Sequence, residues 1–531
     1  MKKILTSIIV IVLVLTCALA LLTGCVREAT DYEHTIVFYS NQGSALKNIT
    51  AEVIAEFEAK YPGWKVDHDT SAGSWNGLPT LIIKDIRNGN QPDLAYCYPD
   101  HVATYLTNRT VVDLNKYFAS EETFNVNTFD SDGNVANTIP TVLGYSDDDR
   151  DDFIDLFMAD GRAGNFTDVT QYGYASNALL ALPFIKSTEV LFYNQTALEK
   201  LVDILKNKSD PRISLFVDSN DEIIIPQTWD VLWAQCAVIK DYFTNVTPLT
   251  YDSEANWFIT MCAQNGWKYT DKSADEHYPF RNQQGLEKWL GDLYKYYKDD
   301  ELFLTRLTMD PSGNSYTSEE FAKGVGVIVD ENSQSVKIDN GEGGGAVFCI
   351  GSSGGATYQD ATSFSVGIAP IPGTKDGAGQ ANAAIAQGPS FVMFRGGHGV
   401  SNADEKEKMT WLFMKMMLEP RWQVKFCGNN GYIPSRESSY DVVVGKDLDD
   451  NEITFGDRLA ARAGVIAYAE DVAHKMQLEG RFFTSPAFDG SSTARDCVEA
   501  LMIKVLGGSG ASNSSIKLAI QQAYDDCGGL H

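Results

Sequence analysis

Residues 35–69 read TIVFYSNQGSALKNITAEVIAEFEAKYPGWKVDHD, and the alternation inside this stretch decides the fold class. TIVFYS is a short apolar run ending in a polar turn, the pattern of a buried strand. Leu46, Ile49, Val53 and Phe57 then recur at helical spacing, with Ser44 expected as the cap and Tyr61-Pro62-Gly63 as the stop. WKVDHD predicts a second strand. Downstream, Pro79 opens the helix PTLIIKDIRNG, Gly89 closes it, and PDLAYC predicts a third strand followed by the helix DHVATYLTNR. Strands and helices alternating at this spacing predict a parallel sheet flanked by helices, an α/β architecture.

The alternation breaks between Asn125 and Asp168, a stretch rich in Asp, Asn and Gly that includes DSDGN and SDDDRDD. Calcium is the sharp reading, but the carboxylate spacing around Gly133 does not fit an EF-hand loop, so a solvated insertion is expected and no metal. Alternation resumes at NALLALPF, STEVLFYN and PQTWDVLWAQCAVIK, the last a helix capped by Thr228 with Trp229, Leu232, Trp233 and Cys236 on one stripe. A Gly-rich loop spans Gly341 to Gly355 around the strand AVFCI. The methionines of DEKEKMTWLFMKMMLEP fall on the apolar face of an amphipathic helix and read as core.

With 531 residues the chain exceeds one ordinary core, and 44% hydrophobic against 21% charged residues is a globular composition. A net charge of -28 disfavours nucleic acid and anionic lipid surfaces, which are bound through clustered cations. Lys2 and Lys3 precede an uncharged run from Ile4 to Leu22 that closes in Leu22-Thr23-Gly24-Cys25. A basic start, an apolar middle and small residues before a cysteine read as an export signal over 1–24, with Cys25 as the lipidated residue and 25–34 as a tether. The expected location is the extracytoplasmic face of the cell membrane. Of nine cysteines, processing removes Cys17 and modifies Cys25, and Cys497 with Cys527 is the one pair worth testing for a disulfide.

Catalytic motifs mostly fail. There is no HExxH, CxxC or GxxxxGK[ST] pattern, so neither zinc nor nucleotide is expected, and no other cofactor. Gly351-Ser352-Ser353-Gly354-Gly355 fits G-x-S-x-G, with His398 or His474 as conceivable bases. A nucleophile elbow needs a long helix directly after the serine, and ATYQDATSF is too short and polar to supply it. A lipid-anchored serine hydrolase is therefore the alternative, and a non-enzyme the main reading.

The segments FYSNQG, GNQPDLAYCYPD, LPFIKSTEVLFYNQTAL, PQTWDVL, FAKG with AVFCIGSSGG, VGIAPIPG, QGPSFVMF and CGNNGYIPSRES follow in order. From about Thr35 to Asp526 this series resembles extracellular solute-binding proteins of carbohydrate-type ABC importers, closest to the branch that binds sugars or glycerol 3-phosphate. The resemblance implies a type II periplasmic-binding-protein fold: two α/β lobes, 35–185 with 366–432 and 186–365 with 433–531, closing around a cleft. It also implies capture of a sugar, oligosaccharide or glycerol phosphate by a monomer and delivery to ABC permease subunits.

The same resemblance places ligand contacts residue by residue. Asn41 and Gln42 follow the first strand; Trp75 matches a cleft aromatic; Tyr98 and Asp100 follow PDLAYC; Ser187 lies on the first crossing between lobes. Ser352 and Ser353 match a GSS segment of the family, which accounts for the elbow-like pattern without catalysis. Gly388 would let backbone approach a ligand oxygen, and Tyr432 and Arg495 match a hydroxyl and a cation of the phosphate-binding branch. Pro99 stands where the family has a carboxylate, leaving Asp100 to substitute, and the loop between FAKG and AVFCI is longer than the family's.

Overall fold

The computed structural model describes residues 31–528 apart from 76, 244–245, 274–275, 326–344, 375–378 and 509–511. The proposed export signal, Cys25, the first part of the tether and the start of the Gly-rich loop (341–344) lie outside the described residues.

The chain opens with β1 (Thr35–Tyr39), buried at every position because it lies between β2 (Lys65–Asp69) and β3 (Leu94–Cys97), parallel to both. Between them run α1 (Ser44–Lys60) and α2 (Gly77–Asn88), and α3 (Pro99–Leu106) follows β3. Ile49, Val53 and Phe57 are the buried apolar side of α1, as their spacing predicts, while Leu46 stays at the margin. Ser44 is not the cap: Gly43 occupies that position with no side-chain bond, and Ser44 is already helical.

The Asp-rich stretch is folded. It contains a hairpin of β4 (Thr123–Phe129) and β5 (Val135–Val142), then helices Asp147–Asp151 and Asp155–Gly161. Its carboxylates are used structurally: Asp149 and Asp152 accept at 2.6 and 2.5 Å from the buried Arg436. Among the described residues no group of His, Cys, Asp or Glu is arranged to hold a metal.

β6 (Leu182–Pro183) completes the first sheet, and the chain then crosses through β7 (Ile185–Lys186) into a second. That sheet contains β8 (Glu189–Asn194), β9 (Thr247–Tyr251), β10 (Phe303–Thr305), β11 (Ala346–Ser352) and β12 (Val366–Pro370), in the order β10-β9-β11-β8-β12. The return passes β13 (Ala384–Ile385) to β14 (Ser390–Met393) in the first sheet, whose order is β2-β1-β3-β14-β6. A further crossing, β15 (Ile433–Pro434), pairs antiparallel with β7. Each sheet has its own hydrophobic core.

The arrangement corrects two expectations. The sheets are mixed, because β14 runs antiparallel to β3, and β8 antiparallel to β11 and β12. Strands that enter from the other lobe arrive without a βαβ crossover, so nothing imposes a parallel direction on them. The expected boundaries also shift. Strand β12 pairs with β8 from Val366↔Asn194 to Pro370↔Val190, so the return to the first lobe comes after 366. Tyr440, Phe455 and Leu459 pack into the first core rather than the second, since the chain after β15 doubles back before helix Val465–Leu478.

The crossings pack without room for side chains. Gly388 has a φ of +94°, and a Cβ there would lie 2.3 Å from the Ile185 carbonyl oxygen. Gly388→Ala is expected to cost about 3 kcal/mol in urea unfolding. Gly396→Ala, also at positive φ (+73°) but with open space around it, should cost only about 1 kcal/mol. Equal losses in the two variants would show that the crossing is not close-packed.

Candidate ligand-binding cleft

The carboxyl ends of β1 and β3 set the first wall, the edge where open α/β sheets bind ligands. Asn41 and Gln42 follow β1. The buried Gln42 donates through Nε2 to the Tyr96 hydroxyl and accepts from Thr50 Oγ1 at 2.7 Å, so it supports an aromatic ring. Asn41 Oδ1 is enclosed and has no hydrogen-bond partner among the described residues. Tyr96 leaves β3 beneath Trp75, with ring centroids 6.5 Å apart and planes nearly parallel. Tyr98, at the N-terminus of α3, packs against the other side of this group, 4.6 Å from Trp75. Asp100 lies in the first turn of α3, where its carboxylate accepts from the His101 N–H at 3.0 Å.

The second wall comes from the other lobe. α4 (Glu254–Asn265) and α5 (Ser491–Gly507) pack together, and α5 also touches α3 across the cleft. Arg495 projects from α5 and donates to Asn256 Oδ1 on α4. Asn256 in turn bonds Glu189, a buried carboxyl at the start of β8 that also accepts from the Tyr251 hydroxyl at 2.6 Å. Burial pushes the Glu189 carboxyl up to about 7, against the lowering pull of Tyr251, Asn256 and Arg495. Arg495 acts electrostatically on Asp496 and Glu499 of its own helix; Asp100 acts on Asp496 as well, and Arg306 is a second cation acting on Glu499.

Tyr432 links the walls. It precedes β15 and lies over Gly354, where a Cβ would sit 2.7 Å from the Tyr432 ring. Its phenol is pushed up to about 12 by burial. Tyr98 is likewise raised, first by burial and then by Tyr432, while Arg495 opposes the shift. The fold therefore brings Trp75, Tyr98, Asp100, Tyr432 and Arg495 together from distant parts of the chain. Tyr358, 72% exposed, closes the turn Ser353–Tyr358 beside Tyr432.

The remaining expected contacts serve the crossings. Ser187 is 1% exposed, and its backbone pairs with Gln387 at 3.0 and 2.8 Å. Ser352 Oγ donates to Ser187 Oγ at 3.3 Å and accepts from the Gly354 N–H. Ser353 is fully buried, with its N–H on the Thr188 carbonyl and its Oγ facing the Thr188 N–H. Gly388 is filled by the Ile185 carbonyl, which leaves its Cα no open face. These residues were expected at the ligand because the family motif runs through them; in the fold they hold the walls in place. Glu189, Asn256, Tyr251 and Tyr96 are the additions. A lone acid opening the otherwise apolar strand EVLFYN was the sequence signal for Glu189; nothing local marked the others.

The elbow-like motif is not paired with a histidine among the described residues. None of the described histidines bonds Ser352 or Ser353; His398 stacks on Tyr32 at 4.1 Å and His474 on Tyr440 at 3.9 Å.

Residues 52–454 match the model of the bacterial extracellular solute-binding protein family, and the chain belongs to that family. No curated protein sequence is a detectable relative. Among solved structures, the chain is similar to the GacH receptor of Streptomyces glaucescens, solved unliganded and with acarbose. The two share 15% identity over 94% of this chain and 99% of that one, with a TM-score of 0.60. UgpB from Mycobacterium tuberculosis, solved with glycerophosphocholine, gives 15% identity over 92% and 98%, TM-score 0.60. Lmo0181 from Listeria monocytogenes, solved with cycloalternan, gives 15% over 93% and 99%, TM-score 0.61. The shared fold is the two-lobed form of maltose-binding-like proteins. No helix among the described residues is long and apolar enough to cross a membrane.

A raised carboxyl pKa means that the folded state holds the proton more tightly than the unfolded chain, so its contribution to stability declines as pH rises from the unfolded value. For Glu189 the decline runs from 4.5 to about 7. Glu189→Gln should therefore be less sensitive to pH than the parent across that window, and at pH 8 at least as stable, by thermal unfolding at a pH series. Parallel curves for the two proteins would remove Glu189 as a buried titrating group.

Proposed function

We propose that the protein is the lipid-anchored binding component of an ABC importer and captures a neutral carbohydrate between its lobes. Cys25 would carry the lipid, Val26–His34 the tether, and the closed monomer would present its ligand to permease subunits. In this reading the chain does no chemistry.

The observation that carries the reading is the aromatic group Trp75, Tyr98 and Tyr432 facing an Arg495–Asn256–Glu189 hydrogen-bonded series. Sugar rings present C–H faces that pack on aromatics and hydroxyls that need fixed donors and acceptors, and both are here. The charge balance favours a neutral ligand over a phosphate. Arg495 already donates to Asn256, and Asp496 and Glu499 on its own helix share its field, which weakens its pull on an added anion. The glycerol-phosphate reading keeps one supporting feature, that Arg495 acts on Tyr98 and His101 of the opposite wall.

Isothermal calorimetry against sugars, oligosaccharides and glycerophosphodiesters tests this. A neutral oligosaccharide should bind, and Trp75→Ala should weaken it by about 2 kcal/mol, roughly thirtyfold in Kd. Arg495→Ala should weaken the same ligand less than Trp75→Ala does. Binding confined to phosphodiesters and lost in Arg495→Ala would replace the carbohydrate reading with the phosphate one.

A further inference from the structure

Seven cysteines lie among the described residues, all buried and all reduced in the structure. Cys97, Cys236, Cys262, Cys349 and Cys427 sit singly in the cores, and burial pushes each thiol up. Cys497 and Cys527 differ. Cys497 is on α5, and Cys527 caps the C-terminus of α6 (Asn513–Asp526), which lies along α5. The two thiols are 8% and 7% exposed and hydrogen-bond each other. The contact sets these two sulfurs side by side on packed helices, unlike the five that stand singly.

We propose that Cys497 and Cys527 form a disulfide in the exported protein, stapling α6 to the helix that carries Arg495. The electron acceptor is an extracytoplasmic disulfide donor, either a thiol oxidoreductase or a small-molecule disulfide. As the chain folds after export, one of the two thiolates attacks one donor sulfur, forming a mixed disulfide and releasing the other sulfur as thiolate. The second cysteine's Sγ then attacks the cysteine sulfur of that mixed disulfide and expels the second donor sulfur. The two cysteine thiols are oxidised, the donor disulfide is reduced to two thiols, and the two protons end on those thiols.

The bond closes a loop between two helices that the rest of the fold holds unequally. α5 is pinned on both sides, against α4 and α3, whereas α6 is held by one buried face, Ile516, Ala519, Ile520, Ala523 and Tyr524, and by Arg281 over the Tyr524 ring at 3.6 Å. Opening of α6 is the motion that the staple suppresses. Arg495 lies two positions before Cys497, so holding α6 down also keeps the outer side of the cleft helix covered.

The inference rests on the protein being exported, and the test separates the two. Cells producing the full chain are alkylated on lysis under denaturing conditions, and the cysteines are mapped by mass spectrometry, with fractionation reporting export independently. Exported protein should alkylate at five of the seven cysteines, with the 497 and 527 peptides linked. Oxidation should slow hydrogen exchange in α6 on the order of a hundredfold. Cys497→Ala, Cys527→Ala and the double variant should all exchange at the rate of the reduced parent, which guards against one variant merely misfolding. Exported protein with all seven thiols free, which also stays reduced with oxidised glutathione, overturns the proposal. If fractionation shows no export, the export reading fails, and linkage by oxidised glutathione alone decides the pair.

Discussion

Backbone pairing between crossing segments is the constraint on which the rest of this structure depends. β7 pairs with β15, and Ser187 exchanges hydrogen bonds with Gln387, so the peptide planes of separate crossings lie side by side. The Lys186 ammonium is buried among them, 3.3 Å from Asp160, with Ser390 Oγ and the Gly388 carbonyl as further partners. Removing such an ion from water is costly, and attraction to one carboxylate repays it only when other polar atoms complete its shell, as they do here. The pair joins residues more than twenty positions apart in a way that a slipped crossing would break. Its role is therefore to select one arrangement of the crossings more than to add net stability.

The cleft follows from this. Each wall is a sheet with its own core, and the paired crossings join the two. Tyr98 and Asp100 sit at a sheet end and helix N-terminus. Tyr432 immediately precedes a crossing, with its ring over Gly354. Burying Glu189 behind Arg495 gives the far wall a carboxyl whose charge depends on what is around it, a feature that would be lost if the wall were apolar.

How much was legible in the sequence varied with the range of the interaction. The strands, the helix starts and stops, and the apolar sides of α1 and α2 follow from periodicity and punctuation, because those signals act within a few residues. Ser44 failed as a cap because Gly43 reaches the required extended conformation first. The Asp-rich stretch read as solvent-exposed, yet it folds, because Arg436, nearly three hundred positions away, pairs with its carboxylates. The resemblance places the serines of the GSS motif at the ligand, and in the fold they also bond Thr188 and Ser187, partners that no local pattern marks.

The sequence by itself determined the local elements, the α/β class, the acidic character and, through an ordered series of motifs, the family. These depend on neighbouring residues and on order along the chain, both of which one sequence contains. Tertiary structure alone decided that the sheets are mixed, that 366–370 belongs with β8, and that Arg495 donates to Asn256. It also brings together Cys497 and Cys527, the pair that the sequence had singled out. Those outcomes depend on how segments hundreds of residues apart pack at the crossings, and no local pattern in the chain encodes that distance.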